Sequence, residues 1–362
     1  MPTIITRGAG SAQGLGYASS SAAVTYIEDV FSTYLYTGNG STQTITNGID
    51  LSGKGGLVWG KERGSANSHR LQDTVRGAGN VIYTNGTNAQ GTDANSITFG
   101  STGFSIGSNA NYNFTSSTYA SWTFREQPKF FDIVTYTGDG TSARAINHNL
   151  GSAPGMIVVK CTNDASNWPV YHRSLGATQF VLLNNTDNAF SSSSYWANTE
   201  PTSTQFSVGF TNNQNSSGQT YVAYLFAHDA GGFGLTGTDN VISCGSYVTT
   251  GGGTNTINLG WEPQWVLVKR ATDILGDPDR DAWHITDSMR GMTAFDGAGS
   301  TPAAELRANA SDAEVNLSDF VLNATGFTVG PGNWNGSTAA TYIYIAIRRG
   351  PMKVPTSGTS VF

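Results

Sequence analysis

Three stretches of the chain carry the same ordered landmarks, and this internal repetition constrains the fold more than any other feature of the sequence. Each stretch opens with an aromatic residue and a glycine turn: Tyr36-Thr37-Gly38-Asn39-Gly40, Tyr136-Thr137-Gly138-Asp139-Gly140, and Tyr247 leading to Thr250-Gly251-Gly252. A short apolar run ending in lysine follows, at Lys61, Lys160 and Lys269. Next come Asp73-Thr74-Val75-Arg76-Gly77, His172-Arg173-Ser174-Leu175-Gly176 and Asp287-Ser288-Met289-Arg290-Gly291. Phe104, Phe206 and Phe327 then precede Tyr119, Tyr221 and Tyr342 by the same 15 residues. The closing segments alternate, so that Ala120, Trp122 and Phe124 share a face, as do Val222, Tyr224 and Phe226, and Ile343, Ile345 and Ile347.

The spacing between opening tyrosines is 100 and then 111 residues, which is domain size, so each copy is expected to own a core. Short runs bounded by Gly, Asn and Ser turns, without long helical periodicity, predict antiparallel sandwiches. The fold class expected is all-β: three tandem antiparallel β-sandwich (jelly-roll-like) repeats of about 100 residues with an extended N-terminal arm. The divisions are an arm at 1–31, repeats at 32–130, 131–240 and 241–350, and a C-terminal tail at 351–362. Pro302 to Arg307 is expected to form a helical turn or a short helix in the third copy.

Composition supports this class. Gly is 45 of 362 residues and charged residues are only 12%, while 11% aromatic content provides apolar surface to bury. A net charge of −6 with 19 Lys and Arg leaves no basic field for a phosphate backbone, so no nucleic-acid partner is expected. The longest apolar run, Tyr221 to Ala227, is too short to span a bilayer, and the start lacks the apolar core of a signal peptide. Neither export nor membrane insertion is therefore expected. Cys161 and Cys244 read as two reduced, buried thiols.

Residues for chemistry are sparse. The five histidines stand in unrelated contexts, and no zinc-hydrolase, Walker or nucleophile-elbow motif is present. No catalytic residue and no cofactor is expected. Asp277, Asp279 and Asp281 alternate like part of a calcium loop, but the required glycine and distal glutamate are missing, so they are only a weak cation candidate. Trp168, Tyr171, Tyr195, Trp196, Trp283 and Trp334 lie in or beside expected loops and are the candidates for recognising a glycan or protein surface. In the arm, Ile4, Ile5, Arg7, Leu15 and Tyr17 are the candidates for docking into a larger assembly.

The Tyr-Thr-Gly-Asn/Asp-Gly openings, the stretch Asn167-Trp168-Pro169-Val170-Tyr171-His172 and the closing strands resemble a β domain of unknown function. That domain recurs in structural, tail-fibre-like proteins of marine tailed bacteriophages. The segment Pro2 to Gly14 is similar to the leader of phage tail-fibre and surface proteins. The resemblance spans nearly the whole chain and implies no catalytic residues. It implies a virion structural protein, a tail fibre or fibre-like appendage contacting the host, made in the host cytoplasm and carried on the virion surface. Its implied partners are other virion proteins of tail, neck or capsid, two further copies in a homotrimer, and a host surface glycan or protein. A capsid decoration protein and a glycan-binding or glycan-depolymerising protein are the alternative readings.

Overall fold

A computed structural model describes residues 24–251, 253–272, 275–292, 303–317, 320–330, 335 and 339–353. Within them the chain is all-β, with antiparallel pairing throughout. In the first third, strands Phe31–Thr37, Thr118–Arg125, Gly56–Glu62 and Arg70–Asp73 lie side by side in that order. The same order recurs as Phe131–Thr137, Thr220–Phe226, Met156–Cys161 and Pro169–His172 in the middle third. It recurs again as Ile242–Val248, Thr341–Arg348, Pro263–Arg270 and Trp283–Asp287 in the last third.

The landmarks of the sequence set this register. Tyr36 pairs with Tyr119, Tyr136 with Tyr221 and Tyr247 with Tyr342, their rings stacked at 4.9, 5.2 and 5.1 Å. One residue further on, Lys61, Lys160 and Lys269 pair with Ala120, Val222 and Ile343. A smaller second sheet accompanies each main one, and its central pairs are Ile45 with Phe104, Ile146 with Phe206 and Ile257 with Phe327.

The main sheets are buried on both faces, as continuous apolar strands require. In the last third, Val266, Val268, Tyr342 and Tyr344 pack with Ile257 and Phe327 of the smaller sheet. Their neighbours Trp265, Leu267, Ile343, Ile345 and Ile347 point the other way, into a cluster that also holds Leu57, Trp59, Trp122 and Phe124 of the first third and Met156, Val158, Tyr224 and Phe226 of the middle third. This corrects the expectation that each copy owns that core. The alternating face of the closing strands is common to all three thirds, and side chains from all three line a small apolar void within it.

The thirds are joined edge to edge at matching positions. Gln90 N donates to Thr162 O at 2.8 Å, Ala189 N to Ala271 O at 2.8 Å, and Glu314 N to Arg63 O at 2.7 Å. Each acceptor lies two residues past the strand lysine. The third of these bonds runs from the last third back to the first, so the contacts close into a ring within one chain.

Two boundaries differ from the sequence reading. Ile27, Val30 and Phe31, assigned to the arm, are core residues, held by the short 3₁₀ turn Ile27–Asp29 and the strand that follows. Residues 303–307 form the strand Ala303–Arg307 rather than a helix. Pairing of Leu306 with Ile285, and of the buried Glu305 carboxylate with His284 Nδ1 at 2.8 Å, outweighs the helical preference of Ala, Glu and Leu.

Candidate functional site

The aromatics expected to face a partner are largely structural. Trp168, Tyr171, Trp196 and Trp283 are buried, which corrects their assignment to a recognition surface. Trp168 Nε1 donates to Gly86 O at 2.9 Å and Trp283 Nε1 to Leu182 O at 2.8 Å, so each indole fastens its own third to the backbone of the preceding one. Their rings supply the apolar area that the joints bury, and their single donors are satisfied there. Trp196 packs edge-on against Tyr171. Tyr195 is half-buried and stacks on Phe180 with centroids 3.5 Å apart, its hydroxyl accepting from Asn213. Trp334 and the docking candidates Ile4, Ile5, Arg7, Leu15 and Tyr17 lie outside the described residues.

The acidic triplet is also spoken for. Asp281 is buried and accepts from the backbone N–H of Leu275 and Asp277, at 2.8 and 3.1 Å. Asp277 accepts from Asp279 N at 2.9 Å, and Asp279 pairs with Arg307 at 2.5 Å. These carboxylates organise a loop, and among the described residues no three metal-ligating side chains converge. The weak cation assignment is corrected accordingly.

Several other buried ionisable groups hold the joints. Asp73 Oδ2 binds Arg76 Nε at 2.6 Å and accepts from the Tyr224 hydroxyl at 2.7 Å. At the matching positions, Asp287 Oδ2 binds Arg290 Nε at 2.6 Å and accepts from Trp122 Nε1 at 3.0 Å. In the middle third His172 takes the place of the aspartate, its Nε2 lying 3.0 Å from Tyr344 O. Two of the three buried lysines serve the same purpose, whereas Lys61 Nζ donates to Glu62 O and Ser65 O of its own third. Lys160 Nζ donates to Cys161 O at 2.8 Å and across the joint to Thr87 O at 3.3 Å. Lys269 Nζ donates to Asp281 O at 2.7 Å and across the joint to Thr186 O at 2.9 Å. Burial lowers all three lysines, Lys61 and Lys160 to about 8 and Lys269 to about 7.

Three buried asparagines escaped the sequence reading. Asn113 Oδ1 accepts from Asn39 N at 2.8 Å, Asn215 Oδ1 from Asp139 N at 3.1 Å and Asn335 Oδ1 from Thr250 N at 2.9 Å, so each pins the opening glycine turn of its third. Their common position, six or seven residues before the closing tyrosine, was the available signal.

One cavity retains unused polar groups. It is lined entirely by the middle third, by Ser152, Ala153, Pro154, Tyr171, Arg173, Glu200, Pro201, His228 and Ala230, with Cys244 of the last third bonded to His228. The Tyr171 hydroxyl donates to Glu200 Oε2 at 2.5 Å, and Ala177 N donates to Glu200 Oε1 at 2.7 Å, fixing the carboxylate while leaving acceptor capacity on both oxygens. His228 Nδ1 accepts from Cys244 N at 3.2 Å and lies 3.4 Å from Asp229 Oδ2; burial outweighs that carboxylate and lowers the imidazole's pKa, and the neutral ring that accepts at Nδ1 carries its proton on Nε2. The Ser152 hydroxyl is buried without a partner. The exposed Arg173 guanidinium has no hydrogen bond or ion pair among the described residues. The arrangement can donate from one side and accept on the other.

No curated protein matches the sequence. It does match the family described as a domain of unknown function, DUF7483, over residues 27–351, and the chain belongs to that family.

Proposed function

We propose that the chain is a non-catalytic structural protein of a tailed-phage virion, a tail fibre or fibre-like appendage on the particle surface that contacts the host. The observation that carries this reading is the closed set of joints Gln90–Thr162, Ala189–Ala271 and Glu314–Arg63, which turns three similar β units into one rigid block. The Asp, Arg, Lys and Trp side chains with the greatest chemical potential are spent on those joints, as expected for a load-transmitting part. Partners in this reading are other virion proteins and a host surface glycan or protein, with the chain made in the host cytoplasm.

Capsid decoration is the second reading. A threefold arrangement inside one chain suits a seat of threefold symmetry without the two further copies of the homotrimer that the resemblance implies. Mass spectrometry of purified particles, with antibody labelling in electron micrographs, tests both. Label at the tail supports the appendage and label over the head supports decoration. Absence of the chain from purified particles overturns the virion assignment.

A further inference from the structure

Two of the three joints share a buried Asp–Arg pair, and the middle third lacks both of its members. The first and last thirds carry Asp-x-x-Arg, with Arg76 and Arg290 paired to Asp73 and Asp287 at 2.6 Å and buried against them. The middle third carries His172-Arg173-Ser174-Leu175, so the arginine position is taken by Leu175 and an arginine stands instead directly after His172. Arg173 is exposed and lines the cavity with Ser152, Glu200 and His228. A second cavity, between the last third and the first, holds Glu28, Asn47, Gln264 and Ser288 beside Ile27, Phe31, Met289 and Met352, and its Arg349 is already paired with Glu262 at 2.7 Å. Among the described residues Arg173 therefore stands on a cavity wall without the carboxylate partner that Arg76, Arg290 and Arg349 each have.

We infer that this cavity binds a hydroxylated carboxylate of the uronic-acid class, an acidic sugar unit. Arg173 faces the ligand carboxylate, with the Ser152 hydroxyl and His228 N–H as further donors. Glu200, held by Tyr171 and Ala177, accepts from ligand hydroxyls, and Pro154, Pro201 and Ala230 meet the C–H face of the ring. A simple anion gains only the arginine side and is opposed by Glu200, whereas a neutral sugar gains only the acceptor side. Both halves of the site are used by a ring that carries both groups.

The inference rests on the host-contact reading only for the source of the ligand. Binding is measured on the isolated chain and incorporation on particles, so either can fail alone. The test is an NMR titration of the intact chain with glucuronic acid, glucose and acetate. Glucuronic acid is expected to give saturable shifts at the Ser152, Arg173, Ala177 and Ala230 amides, with a dissociation constant on the order of millimolar for one sugar ring. Glucose and acetate should bind more weakly. Arg173→Gln should weaken glucuronic acid about tenfold, while Arg349→Gln at the other joint leaves it unchanged. The inference is overturned if glucuronic acid gives no saturable shift, if acetate binds as tightly, or if Arg173→Gln binds like the wild type.

Discussion

Glu314, in the last third of the chain, donates its backbone N–H to the carbonyl of Arg63 in the first third at 2.7 Å, and its carboxylate grips the Arg63 guanidinium in a two-pronged pair at 2.6 and 2.9 Å. The equivalent joints, Gln90 to Thr162 and Ala189 to Ala271, rely on the backbone bond with different side chains. Closure of the ring is thus reinforced at the one joint whose partners are most distant in sequence. Arg63→Gln is expected to lower unfolding free energy by about 1–2 kcal/mol, since the pair is charge-assisted and only partly exposed. In a double-mutant cycle with Glu314→Gln, urea denaturation should show coupling; strictly additive losses would mean that the pair contributes nothing to closure.

Asp287 has a larger effect. It is fully buried and balances Arg290 while accepting from Trp122 across the joint. Asp287→Ala leaves the buried Arg290 guanidinium with only the more distant Glu314 carboxylate at 3.3 Å and is expected to cost about 2–4 kcal/mol. His172→Ala, at the matching position of the middle third, removes a neutral hydrogen-bonding ring and should cost less. Equal losses would refute the charge argument.

The register was legible in the sequence because it is written in side chains: the paired tyrosines, the strand lysines and the fixed 15-residue interval all mark strand positions directly. The ring was not legible. Its defining bonds run between backbone groups of loops, which any residue can supply, and Gln90, Ala189 and Glu314 share no side-chain feature. Trp168 and Trp283 were misread for a related reason, because their loops look exposed until the preceding third is folded over them. The alternating face of Trp122, Tyr224 and Ile345 was recognised as apolar, but pattern alone does not distinguish a private core from a shared one. Of the candidate cavity only Tyr171 was singled out, although the displaced arginine at 173 was visible in the aligned repeats.

Lys269 makes stability depend on pH. Folded, it releases its proton near pH 7; unfolded, it keeps the proton to its ordinary 10.5. Between those values the unfolded chain binds more protons, so this group's contribution to stability rises with pH. Relative to Lys269→Met, the wild type should gain about 1–2 kcal/mol from pH 7 to pH 9, a range chosen to stay below the raised tyrosine ionisations. Denaturation midpoints of the two proteins at both pH values measure the difference. A constant difference would show that the buried amine keeps an ordinary affinity for its proton.

The folded unit includes residues ahead of position 32. Phe31 pairs with Phe124 in the sheet, meets its ring at 5.0 Å and reaches the Trp265 ring at 6.1 Å, so it touches both ends of the closed ring. Ile27 and Val30 are buried beside it, and Ile27 N donates to Pro351 O at 3.3 Å, tying the start of the unit to its end. A chain beginning at residue 32 loses all three apolar side chains, each worth about 1.5–3 kcal/mol when fully buried, together with that bond. Compared with a chain beginning at residue 24, it is expected to be less stable by on the order of 5 kcal/mol. Urea unfolding of the two truncations gives the comparison directly. Coincident midpoints would return Ile27, Val30 and Phe31 to the arm and restore the boundary suggested by composition alone.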